Sequence, residues 1–238
     1  MNFDFPRVFD QLTPLLWEGL RVTVYVSVVS IILGMIVGLI SCFMVISRPR
    51  RARWPMRGLL YVLKWSAGIY VWIIRGTPML VQAMFFFFGV NQVLRTISPA
   101  LLLSPVTAGI ITVTLNAGAY FTEIFRAGIE SVDKGQSEAA RSLGLSQAKT
   151  MRKIILPQAL RMSLPPMVNQ WIISVKDTSL LSAIGVAELM QQTRIYAMGV
   201  FVFFESFIYV ALWYLAILSL LMVLSKRLEA RISYDKKN

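Results

Sequence analysis

Glu138-Ala139-Ala140-Arg141-Ser142-Leu143-Gly144, followed after nine residues by Ile154-Ile155-Leu156-Pro157, is a polar, basic island between strongly apolar stretches. A chain that is 56% hydrophobic forms membrane spans readily. Nothing about a span calls for Glu, Arg, Lys and Gln in one block. The block predicts two short helices at a membrane surface. Asp133 or Ser137 can cap the first by accepting from its free N–H groups, and Gly144 suits its left-handed stop. Ser146 can start the second, and Pro157 is expected to disrupt it.

Outward from the island, composition sets the solvent. The 238 residues have a mean hydropathy of +0.64 and are 15% charged, where a soluble domain is about a quarter charged. One all-α membrane domain is the economical reading. A net charge of +12 would suggest nucleic acid in a soluble protein. Here the cations cluster beside apolar runs, so they read as topology signals and contacts to anionic lipid, with no nucleic acid. The single cysteine, Cys42, lies in an apolar run, and there is no histidine. That excludes a disulfide framework and His-based catalysis, and no metal site is expected. The N-terminus lacks the basic start of a cleaved signal peptide.

A bilayer core takes about 20 apolar residues per helix. Five stretches qualify: 22–46, 59–90, 103–124, 162–187 and 206–225. The second contains Lys64, Arg75 and Pro78, so it is expected to be one tilted or kinked span. The fourth is weaker, opened by Pro165-Pro166 and interrupted by Lys176-Asp177. With five spans, 18 of the 24 Lys and Arg fall on the side of the C-terminus and five on the other. The positive-inside rule then puts the island and C-terminus inside and the N-terminus outside. Before the first span, Phe5, Phe9, Leu12, Leu16 and Leu20 recur at helical spacing, predicting an amphipathic helix on the outer interface. The chain divides into this segment (1–19), a membrane domain (20–227) and a basic inner tail (228–238).

No G-x-x-x-x-G-K-[ST] loop occurs, so the chain is not expected to be an enzyme that hydrolyses ATP; a motor would be another polypeptide. Ser30, Gly34, Gly38 and Cys42 form a small-residue stripe suited to close helix packing, within the chain or against a partner; packing within the chain is the favoured reading. Thr112, Asn116, Tyr120 and Glu123 share one helical face. Such a stripe faces a solute cavity or bonds to another helix, and Glu123 can pair with Arg126. Arg75 either borders the same path or pairs structurally near an interface. Lys176 and Asp177 point about 100° apart on a helix, so they cannot both face one groove. A structural role for this pair and contact with a solute stand as equal alternatives.

The island, read as EAA, three residues, Gly, nine residues and Ile-x-Leu-Pro, resembles the "EAA" loop of bacterial ABC importer permeases. Arg75-Gly76-Thr77-Pro78-Met79-Leu80-Val81-Gln82, Gly118-Ala119-Tyr120, Glu123-Ile124-Phe125-Arg126, Lys176-Asp177-Thr178-Ser179-Leu180 and Ile184 to Leu189 are similar to the polar amino acid branch. The resemblance covers residues 20–227. It implies a multi-pass subunit of the bacterial inner (cytoplasmic) membrane. Implied partners are two cytoplasmic ATPases carrying ATP and Mg, a second permease (an identical copy or a paralogue), a solute-binding protein, membrane lipid and a small polar amino acid. This chain itself is expected to hold no cofactor. Glu138, Ala139, Ala140, Gly144, Leu156 and Pro157 would then couple to the ATPase. Arg75, Asn116, Tyr120, Glu123, Lys176, Asp177, Thr178 and Ser179 would border the solute path. The competing class is a self-contained secondary transporter or channel using Arg75, Glu123 and Asp177 as ion-coupling groups. It is disfavoured by the small number of spans and the lack of an inverted repeat. A membrane enzyme lacks any nucleophile–base pair.

Overall fold

A computed structural model describes residues 4–47 and 54–234, all helix and connecting turns among those residues. The expected basic cluster at 48–53 and the end of the tail at 235–238 lie outside them. The helices are α1 (Phe5–Ile46), α2 (Trp54–Gly76), α3 (Met79–Met84), α4 (Asn91–Ile97), α5 (Pro105–Glu130), α6 (Lys134–Ser142), α7 (Gln147–Thr150), α8 (Leu156–Asp177), α9 (Leu189–Val200) and α10 (Phe203–Tyr234).

Helix α1 starts where Asp4 accepts from the Arg7 N–H, with Pro6 in its first turn. It then runs 42 residues without a break, about 63 Å. The expected separate interfacial helix is therefore absent. Residues 5–20 are instead the first part of α1, and they are covered. Val8, Leu12 and Leu16 are buried with Leu189, Tyr209 and Val210 from α9 and α10. Thr13 and Tyr209 share a hydroxyl–hydroxyl bond of 2.7 Å. Phe9 and Trp17 of the same stretch stay about half exposed. At the other end α10 continues through the expected tail boundary to Tyr234.

The small-residue stripe packs α1 along α5 inside the chain. Ser30 Oγ donates to the Ile110 carbonyl at 3.3 Å. A Cβ on Gly34 would sit 3.1 Å from the Ala117 Cβ, and one on Gly38 would sit 2.5 Å from the Phe121 Cβ and 2.9 Å from the Gly118 carbonyl oxygen. Cys42 is buried beside Phe121 and Phe125. Gly38→Val should therefore force α1 off α5, destabilising the protein by about 1–3 kcal/mol. Thermal unfolding in detergent should show the loss, whereas Gly68→Ala, whose Cβ meets open space, should not lower the melting temperature.

Two expected spans are broken helices. The stretch 59–90 divides at Gly76-Thr77-Pro78, where α2 ends and α3 begins; a wide π turn (Phe85–Val90) then leads into α4. The stretch 162–187 contains the end of α8, a tight 3₁₀ turn (Thr178–Ile184) and left-handed Gly185 at φ +83°. Pro165 and Pro166 lie inside α8 rather than opening it. By length and hydropathy alone, Phe5–Ile46, Met79–Ile97 and Phe203–Arg227 are long and apolar enough to cross a membrane. α5 and α8 are less apolar because they turn polar groups inward: Thr112, Asn116, Thr122, Ser163, Gln170 and Ser174 are all buried.

Candidate functional site

The polar island folds as an elbow. Asp133 caps α6 by accepting from the Gly135 N–H at 2.6 Å. At the far end the Gly144 N–H donates to the Arg141 carbonyl at 3.0 Å and the Leu145 N–H to the Ala140 carbonyl at 3.0 Å. Gly144 is left-handed at φ +80°. This is a complete Schellman turn. It leaves Leu143 at 83% exposure on the tip, an apolar knob that sequence reasoning did not single out. Glu138 and Ala139 are exposed on α6, while Ala140 is buried. Ser146 caps α7, accepting from the Lys149 N–H at 3.4 Å.

Pro157 does not end the second helix. A π turn (Met151–Ile155) carries α7 straight into α8, with Pro157 in the first turn of α8. The wider turn shifts the hydrogen-bond register where proline supplies no donor. The Gln158 side-chain amide donates to the Ile154 carbonyl at 2.9 Å. Leu156 is half-buried and Pro157 exposed. Beneath the elbow, Val132, Ile155 and Ala159 form a buried cluster joined by Ile129, Met151 and Ile154. α8 crosses α5 so closely there that a Cβ on Gly128 would lie 2.8 Å from the Ala159 carbonyl oxygen. The elbow is thus anchored to the ends of α5 and α8 through this cluster.

The second cluster surrounds the break after α2. The Arg75 guanidinium lies 3.7 Å from the Glu123 carboxylate and 5.3 Å from the centre of the Tyr120 ring. Glu123 also accepts from Arg126 at 2.5 Å, and Arg126 donates to Glu130 at 2.8 Å. The ladder therefore joins α2 to α5 and then follows α5. Gln82 fixes the break. Its amide nitrogen lies 2.8 Å from the Ile74 carbonyl oxygen, 3.0 Å from the Thr77 carbonyl oxygen and 2.9 Å from Thr77 Oγ1. The two carbonyls are backbone acceptors at the interruption of the helix, and the Thr77 hydroxyl itself donates to the Ile73 carbonyl. Gln82 Oε1 accepts from Asn116 at 3.1 Å, and both side chains are buried. Sequence reasoning quoted Gln82 only as part of a string. Its signal was a lone amide just after a proline break.

Lys176, Asp177, Thr178 and Ser179 lie where α8 tightens into the 3₁₀ turn, whose Leu181 and Ile184 pack with Met79 and Ala83 of α3. Thr178 is buried and bonds to the Val175 carbonyl at 2.7 Å; Ser179 bonds to the Lys176 carbonyl at 2.7 Å. Lys176 is exposed and Asp177 half-buried. Among the described residues, no ion pair joins either to Arg75 or Glu123. Beyond them Glu188 is fully buried, capping α9 through the Met190 and Gln191 N–H groups and accepting from the Tyr214 hydroxyl at 2.8 Å.

An elbow anchored to two long helices, set on an all-helical apolar bundle, matches known proteins over nearly its whole length. The family described as "binding-protein-dependent transport system inner membrane component" matches residues 30–234. The chain belongs to this family. It is 40% identical over 232 residues to the glutamine transport system permease protein GlnP of Escherichia coli (strain K12), covering 98% of this chain and 99% of that one. It is 32% identical to the arginine transport system permease protein ArtQ of Bacillus subtilis (strain 168), covering 98% of each. The crystal structure of an amino acid ABC transporter with histidines superposes with a TM-score of 0.86 at 33% identity, covering 97% of this chain and 100% of that one. The MetNI methionine ABC transporter, at 19% identity and a TM-score of 0.74 over 93% of this chain and 97% of that one, shares the fold. The protein is thus a permease-family membrane component, and its expected class stands.

Proposed function

We propose that this chain is the permease subunit of an ATP-driven importer of polar amino acids in a bacterial inner membrane. It pairs with a second permease, an identical copy or a paralogue. It receives its solute from a binding protein outside and is driven by two ABC ATPases inside, which carry the ATP and Mg. In this reading the chain crosses five times, with the break after α2 inside the second span, the N-terminus outside and the elbow and C-terminus in the cytoplasm.

The observation that carries this reading is the elbow. A Schellman turn presents Leu143 at the end of a helix that also exposes Glu138, with a buried apolar cluster behind the elbow. That is the build of a docking lever. Closure of the ATPases on ATP would push α6, and the cluster would pass the motion to α5 and α8. Rigid-body rocking of this kind exchanges inward- and outward-open states. The related permeases named for glutamine and arginine transport support a polar amino acid as the solute.

The orientation is tested by a single cysteine at Leu143 in a Cys42→Ser background. A membrane-impermeant maleimide should label inside-out vesicles and leave right-side-out vesicles unlabelled. Labelling in right-side-out vesicles would refute the proposed topology.

A further inference from the structure

A cleft of about 340 Å³ opens between α8 and α10, away from the elbow and the Arg75 cluster. Pro165, Pro166, Asn169 and Ile172 line one wall, and Met222 and Lys226 the other. The volume lies in the range of small-ligand pockets. Both prolines, Ile172 and Met222 make the walls apolar in part, and Lys226 adds a cation on α10 well before that helix ends at Tyr234. The cleft therefore sets a cation and a side-chain amide beside apolar surface. Arg161 lies one turn before Pro165 on the same side of α8, adding a second positive charge.

We infer that this cleft is a binding site for an anionic glycerophospholipid. Lys226 takes the phosphodiester, Asn169 takes a hydroxyl of the headgroup, and the first part of an acyl chain lies against Ile172 and Met222. Basic pockets between helices at the inner face favour such headgroups. A free amino acid would leave the apolar walls bare. A helix from a second permease would have to bring an acidic side chain to Lys226. The inference rests on the membrane reading above, but not on the solute or on the motor.

The test uses the full-length chain, purified in detergent with whatever partners it retains. Binding of phosphatidylglycerol, phosphatidylcholine and inorganic phosphate is followed by native mass spectrometry without ATP or amino acid, so failure of the importer reading would not alter the result. Phosphatidylglycerol should bind in preference to phosphatidylcholine, and inorganic phosphate should not displace it. Lys226→Gln should weaken binding about fivefold, and Lys226→Arg should restore it. Met222→Trp, which fills the cleft, should abolish retention with little change in melting temperature of the lipid-free protein. Wild-type phosphatidylglycerol binding in both Lys226→Gln and Met222→Trp would overturn the inference. So would displacement by phosphate, or cross-linking that places a second permease helix in the cleft.

Discussion

Gly144→Val should abolish transport while the chain still reaches the membrane in normal amount. Gly144 sits at φ +80°. A β-branched residue there is strained by about 1–2 kcal/mol or more. The turn can relax only by losing the bonds from Gly144 and Leu145 to Arg141 and Ala140. Leu143 and the start of α7 then shift together, and the proposed docking surface is lost. Nothing lies within 4 Å of a Cβ at Gly144, so no packing clash spreads into the bundle. Glu138→Lys tests the same surface differently: it keeps the backbone and reverses an exposed charge facing the proposed ATPase. Uptake in the assembled importer should fall at least about tenfold in Gly144→Val, as a coupling loss near 1.4 kcal/mol requires, and clearly in Glu138→Lys. Unimpaired uptake by both variants would remove the elbow from the mechanism.

The second large effect is expected at Glu123. Removing its carboxylate by Glu123→Ala leaves Arg75 and Arg126 without their shared partner. Arg126 keeps Glu130, so Arg75 is the cation that loses its ion-pair partner; at the bilayer centre an unpaired cation costs about 2.5–3.5 kcal/mol on insertion scales, and less towards an interface. Uptake should drop sharply, and the dependence on amino acid concentration should change, because Arg75 is free to swing away from Tyr120. Asn116→Ala should have a related but smaller effect. It frees Gln82 Oε1 while leaving the bonds of Gln82 to Ile74 and Thr77 in place. Gln82→Leu would remove the clamp altogether and should combine lost uptake with a lower melting temperature. This contrast separates a solute-facing role from bundle packing. If Asn116→Ala and Glu123→Ala retain wild-type substrate dependence of both uptake and ATPase stimulation, these side chains only hold helices together and the solute path lies elsewhere.

The elbow was legible in the sequence because caps and stops are local chemistry. Asp133, Gly144 and Ser146 act on N–H and carbonyl groups within a few residues of themselves. The fate of Pro157 was not legible. Its helix survives because Ile155 and Ala159 pack on Val132 across the elbow, and because a π turn absorbs the missing donor. The unbroken α1 was hidden for a similar reason. Val8, Leu12 and Leu16 announce an apolar face, but sequence periodicity cannot say whether lipid or helices some two hundred residues away will cover it. The polar stripe on α5 was visible, whereas the partner of Asn116 was not. Gln82 lies in an apolar run and takes its role from carbonyls exposed by the Pro78 break. Glu188 was quoted only within a string. Its full burial depends on Tyr214 reaching it from α10.

The most direct test of the central claim is reconstitution. The chain should be placed in proteoliposomes alone, and together with its ATPase, its companion permease if it has one and its binding protein, and uptake of labelled glutamine and arginine followed with ATP or with an imposed ion gradient. Accumulation of one of them only in the complete assembly, and only with ATP, is the predicted result. Accumulation by the chain alone under an ion gradient would contradict it and make the protein a self-contained secondary transporter.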